Sequence, residues 1–200
     1  MDLRFHFDPA CPWSWATYLW LEQASRRDGG VAIRFGLVSL LELNKDNEMP
    51  GDMLEVLGQS RRLQRVLSVL VEAERWGEVD RIYNRIGAST FEVGGRLDAG
   101  VVDRICAEAC PEDSRAWLDD GALDEKVVAM HHDAMALAGP GVGSPIISAD
   151  GKAHGLYGPI VDARLSEREG DSLLSIVKGA LELSSFYELK RSHPGSPNFG

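Results

Sequence analysis

Cysteine is scarce in this chain, no run reaches the roughly 18 to 20 consecutive apolar residues that span a bilayer, and 21 basic residues face 31 acidic ones. Each shortage excludes something. Three unevenly placed cysteines, Cys11, Cys106 and Cys110, cannot make a secreted disulfide framework, and Met1 to Phe7 holds no apolar signal segment, so a reducing cytoplasm is the expected compartment. A net charge of −10 with no basic block argues against nucleic acid and anionic membranes as partners. Zinc-ligand spacing, a P-loop and a serine elbow are all missing, so no metal and no nucleotide is expected. Gly139-Pro140-Gly141-Val142-Gly143 precedes a strand and lacks the strand-then-helix setting of a dinucleotide fingerprint. What is left, 44% hydrophobic and 26% charged over 200 residues, reads as a soluble globular protein that can bury about 70% of its unfolded surface.

Leu3, Phe5 and Phe7 alternate with Arg4 and His6, the period of a strand. Asp8-Pro9-Ala10-Cys11-Pro12 then turns the chain, and Pro12 suits the first turn of a helix whose Trp15, Ala16, Leu19, Trp20 and Ala24 recur at helical spacing. Asp28-Gly29-Gly30 ends that helix, and Val31, Ile33, Phe35 and Leu37 form a second strand, which completes a parallel βαβ unit. From about 41 to 140 the periodicity is helical for about 100 residues, too long for a connection, and reads as an inserted α-helical subdomain. Beyond it, residues 146–149, the turn Asp150-Gly151 and residues 152–157 read as a hairpin with a two-residue turn, followed by a helix capped by Asp171 and a polar tail from Ser192. The expected fold class is α/β: residues 1–40 and 141–200 make one discontinuous domain, and the insertion separates its βαβ and ββα halves.

Cys11 falls at the mouth of the first helix, where unpaired N–H groups and the helix dipole favour thiolate over thiol, so its pKa is expected to fall to roughly 3.5–7.5. Residue 14 is serine, so the loop holds no second sulfur to resolve a mixed disulfide, and an external low-molecular-weight thiol is expected to do so. The Ser14 hydroxyl is placed to donate to the Cys11 thiolate or to a thiol cofactor's sulfur. Cys106 and Cys110, a helical turn apart, read as packing residues. Ser144-Pro145 opens a strand after the insertion; a cis bond is expected there, and with Gly143 its backbone would pair with a bound thiol or disulfide. Trp13 is expected at the site and Trp15 in the core. Asn44 reads as a turn residue or a substrate partner, His131 and His132 as packing residues or ligand hydrogen-bonders, and Asp8 as a turn residue whose charge would oppose thiolate formation.

Phe7-Asp8-Pro9-Ala10-Cys11-Pro12-Trp13-Ser14-Trp15, Ser39-Leu40 with Leu43-Asn44, His131-His132, Gly143-Ser144-Pro145, Gly158-Pro159 and Phe186-Tyr187-Glu188-Leu189-Lys190-Arg191 together resemble the mycothiol-dependent nitroreductase group of DsbA-like thioredoxin-fold proteins. The resemblance spans nearly the whole chain. It implies a thioredoxin-like fold with a helical insertion, mycothiol as reductant, a disulfide or electrophilic substrate and commonly a homodimer. It puts the nucleophile on Cys11, a cis-proline on Pro145 and site lining on Trp13 and Asn44, with Pro12 opening the helix. Ser14 departs from the dithiol members and leaves a monothiol route, and Met53 stands where some relatives carry an aromatic. Two other uses of such a site stay open: a thiol-cofactor transferase or isomerase similar to kappa-class glutathione transferases and 2-hydroxychromene-2-carboxylate isomerases, with Ser14 activating the cofactor sulfur, and a non-catalytic binding protein.

Overall fold

A computed structural model describes residues 1–162 and 165–199; Ala163, Arg164 and Gly200, inside the range 141–200 assigned to the second half of the discontinuous domain, lie outside the described residues. The chain runs β1 (Asp2–Phe7), α1 (Pro12–Asp28), β2 (Ala32–Leu37), α2 (Leu40–Leu43), α3 (Gly51–Glu72), α4 (Trp76–Ser89), α5 (Ala99–Ala109), α6 (Asp124–Ala138), β3 (Ile146–Ala149), β4 (Gly155–Tyr157) and α7 (Glu167–Leu181). The strands form one sheet in the order β2-β1-β3-β4, as expected of a thioredoxin-like α/β fold. β1 pairs parallel with β2, Phe5 opposite Phe35, and antiparallel with β3, Phe5 opposite Ile147.

Alternation along β1 gives the sheet two different faces. Leu3, Phe5 and Phe7 are fully buried; Phe5 meets Tyr18 of α1 and Tyr83 of α4, and the Phe7 and Tyr83 ring centroids lie 4.0 Å apart. Each such apolar side chain contributes about 1.5–3 kcal/mol by leaving water. The opposite face carries His6, whose ring lies over Gly36 on β2, and a smaller cluster of Val38, Ala134 and Ile146 that seats α6. α6 packs against β2, β3 and β4, while α1 packs on α7. One hydrophobic cluster runs without a break from the sheet through α1 into Leu63, Val66 and Leu67 of α3 and Ile82 and Ile86 of α4. No helix among the described residues is long and apolar enough to cross a membrane.

Two local readings change. The hairpin strands begin to pair only at Ser148 and Gly155, and in the turn closed by Lys152 N–H to Ala149 O only Gly151 has positive φ. A two-residue primed turn of the Asp-Gly kind requires both central residues there, so a longer connection replaces it. The last helix is capped by Ser166, not Asp171. Its hydroxyl accepts the Glu169 N–H while the Glu169 carboxylate takes the Ser166 N–H, a reciprocal capping box that outcompetes a later start.

Candidate active site

Cys11 is the N-cap of α1, and Pro12 supplies a first helical residue with no N–H to satisfy. The turn before it closes through Cys11 N–H to Asp8 O at 3.0 Å. The Cys11 sulfur accepts the Ser14 N–H at 3.4 Å, and its own S–H donates to the Ser144 carbonyl at 3.4 Å. That second bond exists only for the thiol, because a thiolate would turn a lone pair toward the carbonyl oxygen. Only 5% of Cys11 is exposed. Burial pushes its pKa up, the Ser14 hydroxyl and N–H pull it down, and the Asp8 carboxylate pushes it further up. The resting group is therefore a thiol, contrary to the depressed value expected from the helix terminus alone: desolvation outweighs the dipole.

Ser144 ties the site together. Its hydroxyl accepts the Asp8 N–H at 3.0 Å and lies 2.7 Å from the Ser14 hydroxyl. The Ser144–Pro145 peptide is cis, as is Gly158–Pro159, and the Pro145 carbonyl accepts the Gly158 N–H at 2.8 Å. The Pro159 carbonyl in turn accepts the Thr17 hydroxyl of α1. Cys11, Ser14, Ser144 and Pro145 are thus brought together at the joint of α1 with the β3 approach. Trp15 points into the core, with 1% of it exposed, and half-buried Trp13 lies on the rim. A Cβ on Gly143 would rest 3.6 Å from the ring of Tyr157, a half-exposed tyrosine that responds electrostatically to Cys11 and that sequence reading missed.

Beneath the thiol lies a wholly buried carboxylate. Asp8 Oδ1 accepts Ala10 N–H at 2.7 Å and the Ser60 hydroxyl at 2.6 Å; Oδ2 accepts Leu40 N–H at 2.7 Å and the Gln64 amide at 3.3 Å. Burial raises its pKa, opposed by the bonds from Ser60, Leu40 and Ala10 and by Arg61. Asp8 therefore does more than shape a turn: it pins the Cys11 loop to α2 and α3. Ser60, Arg61 and Gln64 were not singled out from sequence. Their signal was polar residues interrupting the apolar run of α3 beside Leu63 and Leu67.

The remaining candidates make other contacts. His131 Nδ1 accepts the Ser39 N–H at 3.2 Å, which fixes a neutral ring with its proton on Nε2, and burial lowers its pKa. His132 is exposed beside it. Asn44 caps α2 by donating to the Leu40 carbonyl at 2.8 Å. None of these bonds reaches the thiol. Cys106 and Cys110 are both buried, and burial, then the neighbouring Cys106, drives the Cys110 pKa up. No metal-binding cluster occurs among the described residues.

Residues 10–191 match the family model described as Rv2466c-like, mycothiol-dependent nitroreductase Rv2466c. An uncharacterized protein of Mycobacterium tuberculosis, Rv2286c, is 31% identical over 200 residues, covering 96% of this chain and 82% of that one. Among solved structures, the probable DsbA oxidoreductase SCO1869 of Streptomyces coelicolor superposes with a TM-score of 0.56 at 18% identity, covering 98% of this chain and 97% of that one. The cytosolic disulfide reductase DsbM of Pseudomonas aeruginosa, solved with GSH, gives 0.51 at 15% identity over 88% of this chain and 98% of that one. These structural likenesses establish the fold.

Proposed function

The chain belongs to the Rv2466c-like family, and on that premise we propose that it is a cytoplasmic monothiol oxidoreductase in which Cys11 exchanges with disulfides, mycothiolated proteins or electrophilic small molecules, with mycothiol as reductant. The observation that carries this reading is the position of the Cys11 sulfur, held between the Ser14 N–H and the Ser144 carbonyl at the start of α1. A structural thiol would need neither a donor aimed at the sulfur nor a serine hydroxyl tuning it.

The chain's own groups divide the work. As Cys11 attacks a disulfide, the Ser14 N–H and hydroxyl stabilise the charge that builds on its sulfur. One Cys11 S–S bond forms, the old S–S bond breaks, and the thiol proton leaves with the departing sulfur, so the buried site gains no net charge. The Ser144 carbonyl, freed from the S–H, faces the incoming group. Ser14 offers no second sulfur, so the Cys11 adduct waits for one from outside. Mycothiol, when bound, supplies that thiol. The rim suits it: the half-exposed Tyr157 hydroxyl beside small Gly143 provides hydrogen bonding for a polyhydroxylated thiol, and half-buried Trp13 borders the opening. Asn44, His131 and His132 remain candidates for its outer parts.

The test is mass spectrometry of the purified protein after incubation with mycothiol disulfide. A single adduct on Cys11 is expected, lost in Cys11→Ser and retained when Cys106 and Cys110 are both changed to serine. An adduct that survives Cys11→Ser, or no adduct at all, rejects the proposal.

A further inference from the structure

The segment after α7 does not trail into solvent. The His193 ring meets the Trp13 ring edge to face, centroids 4.6 Å apart. Further on, Pro197 is buried, the Asn198 N–H donates to the Asp162 carboxylate at 2.9 Å, and Phe199 stacks on Phe91 at 6.0 Å. The chain is therefore laid from the first turn of α1, two residues past the thiol, to the residues just beyond α4. This stretch lies outside the range matched by the family model, which ends at residue 191.

We infer that this C-terminal strap is a size filter on Cys11: by seating His193 on Trp13 it fixes a wall that admits a compact thiol or disulfide and refuses an extended polypeptide. The inference rests on the reading of Cys11 as the exchanging sulfur, and it narrows the range of partners by removing those that present their disulfide on a polypeptide, mycothiolated proteins included. A compact partner needs only a line of approach to one sulfur. A polypeptide must also lie along the Ser144–Pro145 backbone and across the Trp13 rim, and the strap occupies that rim. Pro197 and Phe199 hold the far end, so the edge-to-face pair with Trp13 governs the near end. Loss of such a pair shifts an open–closed balance by roughly three- to tenfold.

The filter is tested by alkylating the full chain with N-ethylmaleimide and with the same maleimide carried on a polyethylene glycol chain, following Cys11 by peptide mass. In the unaltered protein the bulky reagent is expected to lag the small one. His193→Gly, a change at an exposed residue, raises the bulky-to-small rate ratio roughly three- to tenfold, and His193→Phe, which keeps a ring on Trp13, holds it near the starting value. Equal rates in the unaltered protein, or an unchanged ratio in His193→Gly, overturns the filter. Failure of N-ethylmaleimide to modify Cys11 in any form overturns the exchange reading instead, so the two failures are told apart.

Discussion

Ser14 controls the balance at the thiol from two atoms that a mutation can separate. Its N–H stays in any variant, while its hydroxyl, the largest influence opposing burial at Cys11, disappears in Ser14→Ala. Since burial already holds the sulfur above the ordinary thiol value, Ser14→Ala moves its titration further up. The thiolate fraction at neutral pH then falls by about tenfold for each pKa unit gained. The same change leaves the Ser144 hydroxyl with only the Asp8 N–H. The expected result is a rate of Cys11 alkylation, measured against pH, whose midpoint moves upward in Ser14→Ala, with the plateau rate at high pH nearly retained. A midpoint that stays in place would mean that the hydroxyl serves Ser144 and not the sulfur. Tyr83, wholly buried against Phe7 and Trp15, has its pKa raised by burial and then by Cys11, so the thiol and this phenol share one desolvated region.

At the level of elements, the site depends on how closely α4 approaches α1. Trp15 sits one residue past Ser14 on the inward face of α1, and its ring lies flat against Gly87 of α4, where a Cβ would overlap the indole. Neither backbone nor indole can yield without moving Tyr18 and Tyr83, which pack on the same ring. Gly87→Ala is therefore expected to cost about 3 kcal/mol or more, despite the better helix propensity of alanine, and to shift a urea unfolding midpoint down accordingly. A neutral or stabilising result would show that α4 is free to slide. Such contacts explain what sequence could and could not reveal. β1, α1 and β2 were readable because their periods are local, and Cys11, Pro12 and Ser14 carried their chemistry in adjacent positions. Asp8 was underrated because its partners Ser60 and Gln64 lie 52 and 56 residues away, and no local pattern announces that pairing. The Cys11 pKa was misjudged in direction because a helix terminus is visible in sequence whereas the loss of water around it is not. The Ser166 cap was legible in Ser166-x-x-Glu169 and passed over. The strap was hidden by its polar composition, in which His193, Pro197 and Phe199 are the anchors.

Over the whole molecule, one hydrophobic cluster joins the sheet to α1, α3, α4, α5 and α7, so these elements are expected to unfold as one cooperative unit, and a proton taken up at a buried point of the sheet is expected to lower the stability of them all. His6 is that point. It lies 5% exposed in the central strand, its Nε2 3.2 Å from the Ser148 hydroxyl and its ring on Gly36, so it touches all three of β1, β2 and β3. Burial, helped by Arg4, lowers its pKa from 6.5 to about 3. Above pH 6.5 the ring is neutral in folded and unfolded chains alike and stability is independent of it. Below that value the unfolded chain binds a proton that the folded one refuses, so stability falls with pH until the folded ring titrates near 3. By about pH 5 the loss amounts to roughly 2 kcal/mol, and His131, also lowered by burial, adds to it with the same sign. Asp8 works in the opposite sense, because its raised pKa lets the folded chain gain a proton, so only a comparison isolates His6. Urea midpoints read by tryptophan fluorescence and by far-ultraviolet circular dichroism are expected to fall together between pH 7 and 5, with a shallower fall in His6→Gln, whose side chain does not titrate. Transitions that separate by probe, or a His6→Gln slope as steep as the original, would mean that the helices between β2 and β3 unfold on their own and that the buried ring does not link the sheet to acid.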